Sequence, residues 1–271
     1  MKQFISFTST VIFLLKINSI ALAQGSFAEF NNFTYNSTET LSHDAFASFI
    51  ETYAAENESG VVLVDYGRVS QADRAALKQY LEKLQGIDPT ALNKNEAFAY
   101  WANLYNALTI DIVLDNYPVE SIRDIKSGLF AAGPWKKDLA SVNGVTVTLD
   151  NIEHDILREF WNEPRVHYAV NCASIGCPNL PSPPFTGARL DDRLTQAAKA
   201  YVNHPRGVRV RNGRVEASSI YKWFQEDFGG GQAGVIAHLR RYAEPELAGA
   251  LAETKGVERY NYDWSLNDAS N

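Results

Sequence analysis

Cys172 and Cys177 are the two cysteines of the chain, and they flank a short turn, Asn171-Cys172-Ala173-Ser174, closed by Gly176 and Pro178. A thiol beside backbone N–H groups can be held as a thiolate, the form that attacks carbonyls and disulfides. Such a nucleophile needs an imidazole to take its proton and a group to orient that imidazole. His154 precedes Cys172 by 18 residues, and His167 lies five residues before it. His154 is the expected general base and Glu153 its expected partner. Asn171, Ser174 and the N–H groups of residues 172–174 are candidates for an oxyanion hole. Each has a plainer reading: Glu153 as a helix cap, His167 as a packed residue, and Cys172 as half of a Cys172–Cys177 disulfide.

Other chemistries fit less well. His154, His167, Cys172 and Cys177 suit zinc by type, but the four-residue gap between the cysteines is longer than that of zinc knuckles, so no metal is expected. No phosphate loop, Gly-x-Ser-x-Gly elbow or His-Glu-x-x-His motif is present, and no cofactor is expected. The net charge of −7 over 271 residues argues against a nucleic-acid partner. The partner is instead an unknown substrate or ligand, and nothing in the sequence sets the oligomeric state.

The elements that must position these groups are helices interleaved with short strands and hairpins. The pattern predicts α+β, a single mostly helical domain over residues 41–271. Residues 1–23 have a charged start, an apolar middle and the ending Ala21-Leu22-Ala23, the pattern of a signal peptide. Residues 24–40 read as a flexible leader. The chain is therefore expected to be secreted or periplasmic, with no transmembrane segment after cleavage. In an oxidising compartment two cysteines are expected to pair.

Ser42 opens a helix, Val61–Tyr66 is a short strand, and Ser70 caps a second helix that stops at Gly86. Asn93 and Glu96 form a capping box for the longest helix, which carries Phe98, Trp101, Tyr105, Leu108 and Ile112 and ends at Pro118. Asn103 and Asn106 sit one turn apart within it and are supporting candidates for the site, with the plainer reading, ties to neighbouring backbone, preferred. Asn143-Gly144 and Asn212-Gly213 are hairpin turns. Asp150 and Glu153 read as a second capping box. Arg165–Val170 alternates like a strand running into the cysteines, and Ser218 or Ser219 opens a further helix.

Three stretches in order resemble the family called domain of unknown function 547. They are Phe98–Thr109, Leu149–Arg158 with its Ile152-Glu153-His154, and Arg165–Pro178 with its Asn171-Cys172. Ser219–Phe228 and Tyr262–Asn267 fit as well, so the resemblance spans about residues 61–267. It implies a purpose for Cys172 beyond bridging, because plant intracellular members keep that cysteine and often lack one matching Cys177. The order of His154 before Cys172 is also similar to permuted papain-like hydrolases and acyltransferases, an analogy at the level of fold. Together these imply a thiol hydrolase or acyl/amide transferase, or alternatively a non-catalytic envelope or binding domain clipped by the disulfide.

Overall fold

The structure is a computed structural model that describes residues 27–126, 128 and 132–270. The signal-peptide reading of residues 1–23 lies outside the described residues. The first described turn already belongs to the core, with Phe30 edge-on to Trp101 at 5.0 Å between ring centroids.

Helix α1 (Asp44–Tyr53) leads into an antiparallel pair, β1 (Ala54–Glu56) and β2 (Val62–Val64). Helix α2 (Gln71–Gln85) begins where the Ser70 side chain accepts from the N–H of Asp73. Helix α3 (Lys94–Asn116) is the axis of the molecule, with every residue from Glu96 to Ile110 buried. It has no polar face to give to solvent, and a helix apolar all round must be enclosed. Asn93 caps it as expected. The Glu96 carboxylate does not return to the cap; it accepts instead from the N–H groups of Leu41 and Gly187. The helix stops before Pro118, which cannot follow a helical residue comfortably.

Strands β3 (Ala140–Val142) and β4 (Val145–Val147) form a hairpin whose turn residues Asn143 and Gly144 both have positive φ, 50° and 77°. Next, a π-helical stretch, Asn151–Arg158, runs into one α-helical turn, Glu159–Trp161; together they are α4. A 3-10 turn (Pro164–Tyr168), the cysteine turn and a proline-rich connector lead to α5 (Leu190–Val202). Strands β5 (Val208–Arg211) and β6 (Arg214–Ser218) form the hairpin expected at Asn212-Gly213. Helices α6 (Ile220–Trp223), α7 (Gly231–Tyr242) and α8 (Pro245–Ala252) follow, and β7 (Arg259–Asn261) adds parallel to β6.

Small sheets of two or three strands packed around helices make this an α+β domain. One apolar cluster surrounds α3, and a second lies between α5, the β5–β6 hairpin and α7. None of the described helices is long and apolar enough to cross a membrane.

Two local expectations are corrected. Arg165–Val170 is not a strand: Val166 bonds back to Glu163, and Ala169 and Val170 bond back to Val166. Residues 166–170 are all buried, with Val166 in the α3 cluster and Tyr168 in the other. Enclosure on every side removes the meaning of the alternation. The Asp150–Glu153 capping box is also absent. Thr148 and Asn151 perform that exchange instead, with the Thr148 N–H donating to Asn151 Oδ1 and the Asn151 N–H donating to Thr148 Oγ1.

Candidate functional site

The cysteine turn is fixed from α3. Asn106 Nδ2 donates to the carbonyl of Ala169 at 2.9 Å, and its Oδ1 accepts from the N–H of Asn171 at 2.7 Å. The Asn171 side chain then accepts from the N–H of Ala173 and donates to the carbonyl of Pro178. This local turn lets Ala173 hold a left-handed φ of 56°. On the far side the C-terminal tail docks along the turn, with Ile175 donating to Ser265, Gly176 to Asp263 and Asn267 to Ala173. Gly176 is required there, because a Cβ would lie 2.9 Å from the backbone N and O of Asp263.

Cys172 and Cys177 form a disulfide, the pairing expected from their sequence. The two sulfurs are unequal. Cys177 is buried, and its Sγ accepts from the N–H of Cys172 at 3.0 Å and from the Tyr262 hydroxyl at 3.1 Å. Cys172 is more open, with its Sγ 3.3 Å from Ser174 Oγ and 3.2 Å from Tyr262 Oη. An attacking thiol would meet Cys172 first, and Cys177 would leave into an environment of donors already aimed at it.

Beside the disulfide lies an acid–base network carried by α4. The Glu153 carboxylate accepts from the Tyr105 hydroxyl at 3.2 Å. It lies 4.0 Å from His154 Nδ1 and 3.8 Å from His167 Nδ1. His167 is buried, stacked on Phe224 at 4.2 Å, and donates through Nε2 to Asp227 at 2.7 Å. Arg158 grips Asp227 with two hydrogen bonds of 2.6 and 3.0 Å. Burial opposes the charge on Asp227, but these bonds from His167 and Arg158 outweigh it and hold the carboxyl well below the usual range. Burial also pushes the His167 imidazole down, against the pull of Asp227.

The third N–H of Arg158, on Nη1, meets His154 Nδ1 at 3.2 Å. A guanidinium can only donate, so Nδ1 is the acceptor and neutral His154 carries its proton on Nε2. General-base action through Nε2 requires the opposite tautomer. Glu153 is the group near Nδ1 able to stabilise it.

Tyr105, Glu153, His154, His167 and the disulfide line a cleft of about 200 Å³ whose remaining walls are mostly aromatic, with Val170, Pro178 and Ile220 among them. Trp135, Trp223, Tyr262 and Trp264 pack into one strip, with centroid separations of 4.8 Å (Trp223–Tyr262), 4.6 Å (Tyr262–Trp264), 5.6 Å (Trp223–Trp264) and 5.7 Å (Trp135–Trp264). Asp150, freed from capping, also lines the cleft, and burial raises its carboxyl above the ordinary value.

Of the residues singled out in the sequence, Cys172, His154, Glu153, His167 and Cys177 come together in this cleft. Ser174 sits behind it, within reach of Cys172 and Tyr262. Asn171 and the N–H groups of residues 172 and 173 are consumed by the turn and cannot form an oxyanion hole as they stand. Asn103 exchanges two hydrogen bonds with the backbone of Phe185, so it and Asn106 tie down backbone as expected. The aromatic strip, Tyr105, Asp150, Arg158 and Asp227 are not among the site candidates read from the sequence; Tyr262-x-Trp264 is the local signal that points to part of the strip. Among the described residues no group of three His, Cys, Asp or Glu side chains is arranged to hold a metal.

No curated protein and no solved structure matches the chain. A family match covers residues 89–202, which carry Tyr105, Trp135, Asp150, Glu153, His154, His167 and both cysteines, while Trp223, Tyr262 and Trp264 lie beyond it. That match is to the model of the family described as Protein of unknown function, DUF547, which the central part of this chain resembles.

Proposed function

We propose that the protein is an exported thiol hydrolase or acyl/amide transferase whose nucleophile, Cys172, is released by reduction of the Cys172–Cys177 disulfide. The observation that carries this reading is that Cys172, the more open of the two sulfurs, lines the same cleft as His154 and Glu153. Two equivalents of an external thiol would open the bridge, leaving two protein thiols and an external disulfide. The His154 imidazole, with Nδ1–H directed to Glu153 in place of Arg158, takes the Cys172 proton. The thiolate then bonds to the substrate carbonyl carbon, and the leaving alkoxide or amine departs with the proton from His154. Water or an acceptor nucleophile cleaves the thioester and restores the thiol. Export is supported by the signal-like residues 1–23.

The test is acyl transfer from p-nitrophenyl acetate to the reduced protein. The expected result is a burst of one nitrophenolate per chain, an acetyl group on Cys172 by mass spectrometry, and neither in Cys172→Ser. Acetylation spread over lysines, with Cys172→Ser as fast as the parent, contradicts the reading. The closed disulfide favours a second reading, a ligand-binding domain clipped by the bridge. On that reading the cleft binds its ligand in both redox states and no acyl-enzyme forms.

A further inference from the structure

We propose that the cleft binds one pyranose ring of a saccharide, stacked on the tryptophan strip with its hydroxyls bonded to Asp150 and Glu153. This deepens the thiol-enzyme reading. It rests on that reading for the bond cleaved, an ester or amide substituent of the sugar, and on the cleft alone for the sugar itself.

Three of the five tryptophans line this one cleft, and Trp223 is 47% exposed although it is among the largest apolar side chains in the chain. Apolar surface left open in a concave site marks a place that something covers. Flat aromatic faces carry negative charge and attract the weakly positive C–H bonds on a sugar face. Hydroxyls at the edge of the same ring donate well to carboxylates, and such charge-assisted bonds are the stronger kind. A single cleft offering an aromatic strip beside the carboxylates of Asp150 and Glu153 matches both surfaces of a pyranose.

Other ligand classes fit less well. No lysine or arginine is among the described residues lining the cleft; Arg158 touches it only through His154 and is paired with Asp227, and Arg123 lies over Trp264. A phosphate or carboxylate ligand would therefore meet the carboxylates of Asp150 and Glu153 without a lining lysine or arginine to offset them. A quaternary ammonium needs rings standing apart around a void. Here the rings touch one another at 4.6 to 5.7 Å between centroids and form a wall. The volume, about 200 Å³, holds one sugar ring and leaves the rest of a chain outside.

Calorimetric titration of the disulfide-bonded protein with the trimer of N-acetylglucosamine, the trimer of glucose and tetramethylammonium chloride tests this. Saturable binding of at least one trimer is expected. It should weaken about tenfold or more in Trp223→Ala, through lost stacking, and also in Asp150→Asn, with the far-ultraviolet spectrum unchanged in both. No binding of either trimer up to about 10 mM, binding indifferent to both variants, or binding of tetramethylammonium in their place overturns the proposal. Saccharide binding retained by a protein that forms no acyl-enzyme would leave the sugar site standing and refute the thiol reading. An acyl-enzyme on Cys172 with no saccharide bound would do the reverse.

Discussion

Asn106 illustrates how a residue can be essential to a site without touching it. Its amide closes two buried backbone bonds on either side of the approach to Cys172. Asn106→Ala leaves a carbonyl and an N–H without partners in the interior. We predict a loss of about 2–4 kcal/mol in urea-induced unfolding, with Cys172 reactivity falling only as far as folding does. A loss of reactivity at full stability would move Asn106 into the reacting machinery. Glu153 is expected to behave in the opposite way. Glu153→Gln should reduce the acyl-transfer rate by about 10²-fold, because a neutral amide oxygen accepts from Nδ1–H more weakly than the carboxylate does and does not offset the positive charge that builds on His154 beside Arg158. The measurement is the pH profile of the p-nitrophenyl acetate burst, and an unchanged profile would refute the role.

The elements differ in how far the sequence discloses them. Ser70, Asn93 and the two Asn-Gly turns act through atoms within three residues, so their roles were readable directly. The burial of α3 follows from apolar and aromatic residues on every side of it, interrupted between Ala97 and Ile110 by Asn103, Asn106 and Thr109, whose side chains bond to backbone. The segment at 165–170 misled because it is sandwiched between two cores, and only the tertiary structure supplies the second. The cap at α4 misled because two overlapping candidates, Thr148–Asn151 and Asp150–Glu153, compete for one helix start, and the choice of the first frees both carboxylates for the cleft. The aromatic strip was illegible because its members come from three distant stretches. Tyr262 and Trp264 are brought in by the tail along the cysteine turn. Gly176→Ala should prise that tail away: we predict a cost of about 1–3 kcal/mol and a red shift in tryptophan emission as Trp264 meets water. Unaltered stability and emission would mean that the tail is not held at this point.

At the scale of the whole molecule, two histidines outside the cleft make stability depend on pH. His43 and His238 are buried, and burial pushes both imidazoles down to about 4. His43 bonds to Tyr80, and His238 bonds to Tyr168 in the second core cluster. The unfolded chain protonates these rings near 6.5 while the folded chain resists, so the unfolded state binds more protons between the two values. Their contribution is complete above about pH 6.5 and is lost as the pH falls toward 4, at most ~3 kcal/mol each. Urea unfolding at pH 7 and pH 4 should differ in that direction, and His238→Gln should flatten part of the difference. Equal stability at the two pH values would contradict the burial of these rings as neutral species.

The proposed chemistry turns on one sulfur, that of Cys172. Protein from the exported fraction would be treated with graded thiol reductant, pulsed with iodoacetamide and mapped by mass spectrometry, in parallel with His154→Ala. The Cys172–Cys177 bridge is predicted to open under mild reduction; once both thiols are free, Cys172, the more open, is alkylated before Cys177, and its labelling slows at least about tenfold without His154. A bridge that persists until the protein unfolds, or labelling indifferent to His154, would contradict this chemistry.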